Sequence, residues 1–570
     1  MKRRKFISDS AKLFAAPLVI QGNQLKALSG LDFPINVCNL KPDRCMVIIK
    51  LGGGNDGLNS FVPLSQYTQY AKIRPTIKLA STDLIELDKN LGSDYSLGLH
   101  PKLKGLKDLY EQDLTVRGTS KTVKVNMNVI NSVSYPNASR SHFRSTDLML
   151  KGLSGTETQD ASKEETTGWM ARFLNSGYDP SKALDPLGIQ LGNSQPSLGF
   201  RHDNEHTISL NLSGQDLQGY YSLIQNFDSA YIYSGVSRKE MKDMKEAVDH
   251  ILGIEADMNT YGKRITDVFN KGSNSSVSYS STSIANQLKT VARLIKGGST
   301  TKIFLCHMGG FDTHSSQLTR HAELMTDLNE AISSFYQDLV DLGIAEQVLT
   351  TSFSEFGRKA VENGNTSGGT DHGTLAPMLV FGTNVVNGVT GKNPDLTNLT
   401  SSGQLQEHSN NPVQDYRKVF TTLIQDWLGA SSTDLSNTLF DDFGSSKLNL
   451  IDSDYRVPSS CYNGTENQLL EKWSAKKTNE ESELYQFEAS VYPNPSASHF
   501  NIRIHAPYEA VDKLRIMDIN GRMVKEHEIT LKRGLNTFKY EHTYRSGAYF
   551  IQILDEQNNL LKQLSLIVRN

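Results

Sequence analysis

No apolar run in this sequence reaches the roughly 18 residues that a membrane-spanning helix needs, so a transmembrane segment is not expected. Cysteine is scarce. Cys38, Cys45, Cys306 and Cys461 are the full set, and no two form a Cys-x-x-Cys pair. That argues against a zinc–thiolate site and excludes a disulfide-built scaffold. A surplus of either charge is missing too: 59 Lys and Arg against 62 Asp and Glu leave a formal net charge of -3. Neither nucleic acid nor an anionic membrane is therefore expected as the main partner. What is present is an ordinary soluble composition, 37% hydrophobic and 21% charged, in a chain of 570 residues that is too long for one core.

The first residues read as an address rather than as part of a fold. Lys2, Arg3, Arg4 and Lys5 form a basic cluster, and a short, weakly apolar stretch runs from Ala11 to Ile20. These are the n-region and h-region of an export signal. The order Arg3-Arg4-Lys5-Phe6-Ile7 resembles the twin-arginine motif, which implies the twin-arginine export receptor as a partner. An ordinary secretory signal containing two arginines is the alternative. Ala27-Leu28-Ser29 offers a small-x-small cleavage site. The expected organisation is a signal at 1–29, a main domain at 30–458, a linker at 459–487 and a C-terminal domain at 488–570.

In the main domain, Cys45–Leu51 reads as a buried strand stopped by Gly52-Gly53-Gly54. Strand signals recur at Lys302–Cys306, Gln347–Ser352 and Pro377–Phe381. Helical spacing of apolar residues spans Ile284–Ile295 and His321–Leu342. Alternating strands and helices predict an α/β fold with a mostly parallel sheet flanked by helices. Ser237–Asn270 reads as a charged helical insertion and Gly272–Ser283 as a flexible loop. Cys306, at the end of an apolar strand, is expected to be a buried free thiol, and two of Cys38, Cys45 and Cys461 to pair.

The last eighty or so residues change character. Short alternating segments at His499–His505, Lys513–Asp518, Met523–Ile529, Asn536–Tyr540 and Ala548–Leu554, with turns at Asn520-Gly521 and Arg533-Gly534, predict a small antiparallel β-sandwich. Val491-Tyr492-Pro493-Asn494-Pro495, Asp518-Ile519-Asn520-Gly521-Arg522 and Ser546-Gly547-Ala548-Tyr549-Phe550 resemble the type A sorting domain of the type IX secretion system. The resemblance implies the type IX machinery as a partner, and release to or attachment at the cell surface by way of the periplasm.

Patches combining glycine with ionisable groups punctuate the main domain. They are Gly52-Gly53-Gly54-Asn55-Asp56-Gly57, Ser139-Arg140-Ser141-His142-Phe143-Arg144, Gly309-Gly310-Phe311-Asp312-Thr313-His314, Ser354-Glu355-Phe356-Gly357-Arg358 and Thr370-Asp371-His372-Gly373. With His100-Pro101 and Gly168-Trp169, they resemble the domain of unknown function 1501 family, placed in the alkaline-phosphatase-like, sulfatase-like superfamily. That resemblance implies a hydrolase of anionic phosphate or sulfate esters holding one or two divalent metals, zinc, manganese, calcium or magnesium. By chain order it implies Asp56, Asp312, His314, Asp371 and His372 as metal ligands and Ser141 as nucleophile. Glu355 becomes a further ligand or base, and Arg140 or Arg358 a clamp for the anion.

The sequence also departs from that pattern. Asp312-x-His314 is spaced more tightly than in most relatives, and Glu355-Phe356 stands where many have Asp-His. Simpler roles therefore stay open: Asp56 and Ser141 as helix caps, Asp371-His372 as a turn, Glu355 with Arg358 as an ion pair. A surface binding protein on the same fold is the alternative to an enzyme. His321, on a helix, and His100, beside Pro101, are expected to be structural.

Overall fold

A computed structural model describes residues 43–569 apart from 157–165, 179–182, 184, 194–196, 203–208, 213–260, 263, 365–367, 406–412, 441–442, 460–487, 493, 507–509, 520, 533 and 556–557. The signal, most of the charged insertion and the linker lie outside the described residues, as do Cys38 and Cys461.

One large sheet organises the main domain. Its strands are β1 (Cys45–Leu51), β2 (Asn126–Ser134), β3 (Gly188–Gln190), β4 (Ser209–Asn211), β5 (Ile303–Met308), β6 (Val348–Phe353), β7 (Ala376–Gly382), β8 (Gly388–Thr390) and β9 (Gln414–Asp415). The order is β8-β2-β7-β6-β1-β5-β3-β4, with β9 also on β2. β1, carrying Val47, Ile48 and Ile49 with no exposed atoms, sits between β5 and β6 and runs parallel to both. Such a strand is buried on both faces, which is why it reads as a continuous apolar run.

The sheet is mostly parallel, as expected, but mixed: six of its eight strand pairings are parallel and two are not. β7 runs antiparallel to both β6 and β2, although its apolar sequence is like that of its parallel neighbours. β2 is an unexpected central strand, since Asn and Ser are poor strand formers. Its buried amides find partners across the fold: Asn128 Nδ2 donates to Val386 O at 2.9 Å and Asn131 Nδ2 to Asn393 Oδ1 at 3.0 Å.

Helices cover both faces. α1 (Gly57–Ser60), α2 (His142–Lys151), α3 (Trp169–Gly177), α4 (Ser283–Lys296), α5 (Gln317–Asp341) and α6 (Tyr416–Asp426) are those that matter below. α4 and α5 bury Leu288, Val291, Leu328, Ile332 and Phe335 with Val47 and Ile49 of β1; α3 and α6 bury Trp169, Phe173 and Phe420 with Met46 and Ile48 on the other side. The loop expected to be flexible is tied down. Asp338 of α5 accepts from Ser275 N at 2.7 Å, Asn274 Nδ2 at 2.8 Å and the Tyr279 hydroxyl at 2.9 Å.

Cys306 is a buried free thiol as expected. Cys45 is one as well, which removes it from the expected pair; burial raises both thiols' pKa, that of Cys45 to about 12.

The C-terminal strands form two antiparallel sheets, one of Glu488–Tyr492, His499–Ala506 and Gly534–Glu541, the other of Ala510–Asp518, Met523–Leu531, Gly547–Leu554 and Leu560–Val568. Phe500 and Ile502 of the first share one apolar core with Leu514, Ile516 and Ile551 of the second.

Candidate metal centre

Strand directions decide where the polar patches meet. The carboxyl ends of β1, β5 and β6 lie side by side, Lys50 opposite His307 and Phe353. Because β7 runs the other way, its beginning reaches that same edge, and so does the end of β2, with Val133 opposite Ala376. The loops after β1, β2, β5 and β6 and the loop before β7 therefore converge. Close approach demands glycine here. A Cβ on Gly53, whose φ is 120°, would stand 2.4 Å from Asp312 N.

Asp312 Oδ1 is the centre of the cluster. It lies 3.0 Å from His314 Nε2, 3.1 Å from His372 Nε2 and 3.4 Å from His142 Nε2, and accepts from Arg358 Nη2 at 2.7 Å. Donor atoms of His142, Asp312 and His372 all fall within 4.8 Å of one another. His314 joins them, its Nε2 3.0 Å from that of His372. Burial opposes ionisation of Asp312, but the hydrogen bond and charge of Arg358, helped by His372 and His314, outweigh it and hold the carboxyl down at about 2.

Each imidazole is gripped from behind. His142 Nδ1 faces Glu355 Oε1 at 2.9 Å, His314 Nδ1 faces Asp371 Oδ1 at 3.1 Å, and His372 Nδ1 faces the Arg140 carbonyl at 2.8 Å. Carboxylate and carbonyl oxygens accept, so each Nδ1 donates outward and each Nε2 is the ring nitrogen that faces the cluster. His142 Nε2 is buried and has no hydrogen-bond partner among the described residues. Phe356 packs on two of the rings, 4.8 Å from His142 and 4.6 Å from His372 between centroids.

A divalent ion fits this donor set. Bonds of about 2.0–2.2 Å place neighbouring ligand atoms roughly 3.0–3.5 Å apart; the distances from Asp312 Oδ1 to the three Nε2 atoms and between His314 and His372 fall there, at 3.0 to 3.4 Å. Imidazole with one carboxylate suits zinc or manganese.

Four expected residues are brought together: Asp312, His314 and His372 in the cluster, and Asp371 against His314 from behind. Glu355 is buried and supports His142 while its Oε1 also accepts from Gly53 N at 2.8 Å. Others take different places. Asp56 stands outside the cluster, its oxygens filled by the backbone N–H of Leu58 and Asn59, by Arg74 Nη1 at 2.6 Å and by Gln317 Nε2. Arg358 does not point at an incoming anion: wholly buried, it donates to the carbonyls of Gly53, Gly54, Phe311 and Thr370 as well as to Asp312. Arg140 contributes its carbonyl rather than its exposed side chain. Ser141 stands exposed at the N-cap of α2, and its hydroxyl does not cap the helix. His100 and His321 form a buried pair, centroids 5.6 Å apart, in keeping with structural roles.

His142 is the donor that the sequence reading passed over in favour of its neighbour Ser141. Its signal was a histidine opening a helix directly after a strand-end loop. Phe143 beside it is 87% exposed at the rim.

Residues 125–432 match the family described as protein of unknown function (DUF1501), and the chain belongs to that family. Residues 490–568 match a secretion system C-terminal sorting domain, which directs the chain to the type IX machinery and points to secretion and the cell surface. No curated protein matches. Solved structures with local likeness include PorZ, an essential bacterial surface component of the type-IX secretion system of Porphyromonas gingivalis, at 21% identity and TM-score 0.12 over 16% of this chain and 13% of PorZ. CopC from Methylosinus trichosporium OB3b is 20% identical, with TM-score 0.12, over 14% of this chain and 88% of its own. The chain thus spans a small fraction of PorZ. Among the described residues no helix is long and apolar enough to cross a membrane.

Proposed function

We propose that the α/β domain of this surface-directed protein holds one divalent metal ion between His142, Asp312, His314 and His372, and hydrolyses phosphate or sulfate esters there. The observation that carries the reading is the convergence of three Nε2 atoms and a carboxylate oxygen with every Nδ1 committed elsewhere. Acceptors crowded in this way need positive charge among them, from protons or from an ion. When bound, the ion supplies Lewis-acid charge for the ester's developing negative charge. The protein's own residues do the rest. Glu355, Asp371 and the Arg140 carbonyl aim the imidazoles, Arg358 keeps Asp312 ionised, and Ser141 stands exposed beside His142 as the candidate nucleophile.

Kinship with the alkaline-phosphatase-like, sulfatase-like superfamily is part of this proposal, supported by donors drawn from several loops at one sheet edge. So is export by the twin-arginine receptor, which rests on Arg3-Arg4. A second reading, a surface binding protein that keeps the ion without turnover, is favoured by Arg358, whose donors are spent on carbonyls. The test is metal analysis of the purified chain, followed by assay of loaded and chelator-stripped protein on p-nitrophenyl phosphate, bis-p-nitrophenyl phosphate and p-nitrophenyl sulfate. Turnover only when loaded supports the hydrolase; one bound ion without turnover leaves the binding protein; no bound ion ends both.

A further inference from the structure

Beneath the cluster lies a polar layer that the proposed chemistry does not use. Gln317, the first residue of α5, is completely buried. Its Nε2 donates to Asp56 Oδ2, while its Oε1 accepts from the Thr370 hydroxyl at 2.7 Å and the Thr313 hydroxyl at 3.2 Å. Thr313 stands between Asp312 and His314, and Thr370 immediately precedes Asp371 and His372. The two ligand-bearing loops also touch directly, Thr370 N donating to Thr313 O at 3.2 Å, and Gln317 N donates to Gly368 O at 3.0 Å. Asp56 is anchored in turn by Arg74, whose Nη1 also reaches Asn59 Oδ1 at 2.7 Å and whose Nε and Nη2 donate to Ala360 O and Lys359 O, each at 2.8 Å.

We propose that Gln317 is a positioning residue of the metal centre: its carboxamide sets the spacing between the loop carrying Asp312 and His314 and the loop carrying Asp371 and His372, with Asp56 and Arg74 as the anchor. A carboxamide suits the place because it presents an acceptor to two hydroxyls and a donor to a carboxylate at once. A leucine would fill the volume but leave both hydroxyls without this acceptor and Asp56 with one donor fewer. The chain enters α5 through Ser316 at φ 51°, a left-handed conformation that a non-glycine residue holds only where its surroundings compensate. The Gln317 clasp is such a compensation.

This inference rests on the metal reading of the same cluster, so its test separates the two. Co(II) is titrated into the full native chain and into the variants Gln317→Leu, Thr370→Val, Gln317→Leu/Thr370→Val and, in the core on the other face of the sheet, Phe420→Leu. Removing the carboxamide should weaken Co(II) binding about 10–100-fold, as loss of outer support does at other metal sites. Thr370→Val should cause a smaller loss in the same direction. The double variant should bind within about threefold of Gln317→Leu, because both changes break the same link. Phe420→Leu should lower the melting temperature and leave binding unchanged. Binding of native strength by Gln317→Leu overturns the proposal. So do losses that multiply in the double variant. If the native chain takes up no Co(II), the metal reading fails, and the clasp is read instead from the imidazole nitrogen-15 signals of His314 and His372. Gln317→Leu must shift those signals and Phe420→Leu leave them in place; signals unmoved by Gln317→Leu refute it.

Discussion

The layer around Asp56 and the cluster around Asp312 are built from similar parts: an aspartate after a glycine-rich strand end, a buried arginine, and help from α5 or the loop before it. They differ in what faces the carboxylate. Asp56 meets donors on every side, two backbone N–H groups, a guanidinium and an amide, and is 1% exposed. Asp312 keeps one guanidinium but otherwise faces imidazole nitrogens, and its side chain is 46% exposed. A carboxylate filled by donors from within the fold is a structural element; one left half-open among imidazoles is the ligand proposed above.

Breaking the buried side should have the largest effect. Asp56→Ala strands the Arg74 guanidinium without its counter-charge, at an expected cost of about 3–5 kcal/mol. Denaturant unfolding measures it, and a loss no greater than that of Asp312→Ala would erase the contrast. On the open side, His142→Ala should lower metal affinity about 100-fold, about 2.7 kcal/mol, whereas Ser141→Ala should leave it unchanged. Calorimetric titration of Zn(II) reads both, and equal losses would mean that the wrong neighbour has been chosen.

The gentlest probe is pH. Burial holds His321 down at about 4, against the pull of Asp56 and with Arg74 and Arg358 adding to the effect, and holds His100 down at about 3, with His321 and Lys102 adding to it. Both stay neutral in the fold while the unfolded chain protonates them near pH 6.5. The unfolded state therefore binds more protons between that pH and about 4, so stability falls with acidification at up to about 1.4 kcal/mol per pH unit for each histidine. Unfolding curves from pH 7 to 4 should show the slope, and His321→Gln should flatten it.

Much of this was legible in the chain because local patterns survive folding. β1, β5 and β6 and the helix α4 declare themselves through apolar runs and helical spacing, and each ends where a glycine patch begins. That placed Asp312, His314, Asp371 and His372 at one edge. What was not legible depends on partners remote in sequence. β7 is as apolar as a parallel strand, and only pairing reveals its direction. β2 hides behind asparagines whose amide nitrogens are paired with residues more than 250 positions away. Asp56 looked like Asp312 because nothing near it in sequence announces Gln317, and Arg358 looked like an anion clamp because its carbonyl partners carry no sequence signature.

Arg358 has a consequence for the order of events at the proposed site. With its donors spent inside the fold, it lends little attraction to a ligand arriving from solvent. An anionic ester reaching the bare cluster would meet the carboxylates of Asp312 and Asp371, which repel it. The same ester reaching the ion-loaded cluster would meet a cation first. Occupancy thus reverses the sign of the entrance, and the proposed site admits its visitors in sequence, the ion and only then the anion.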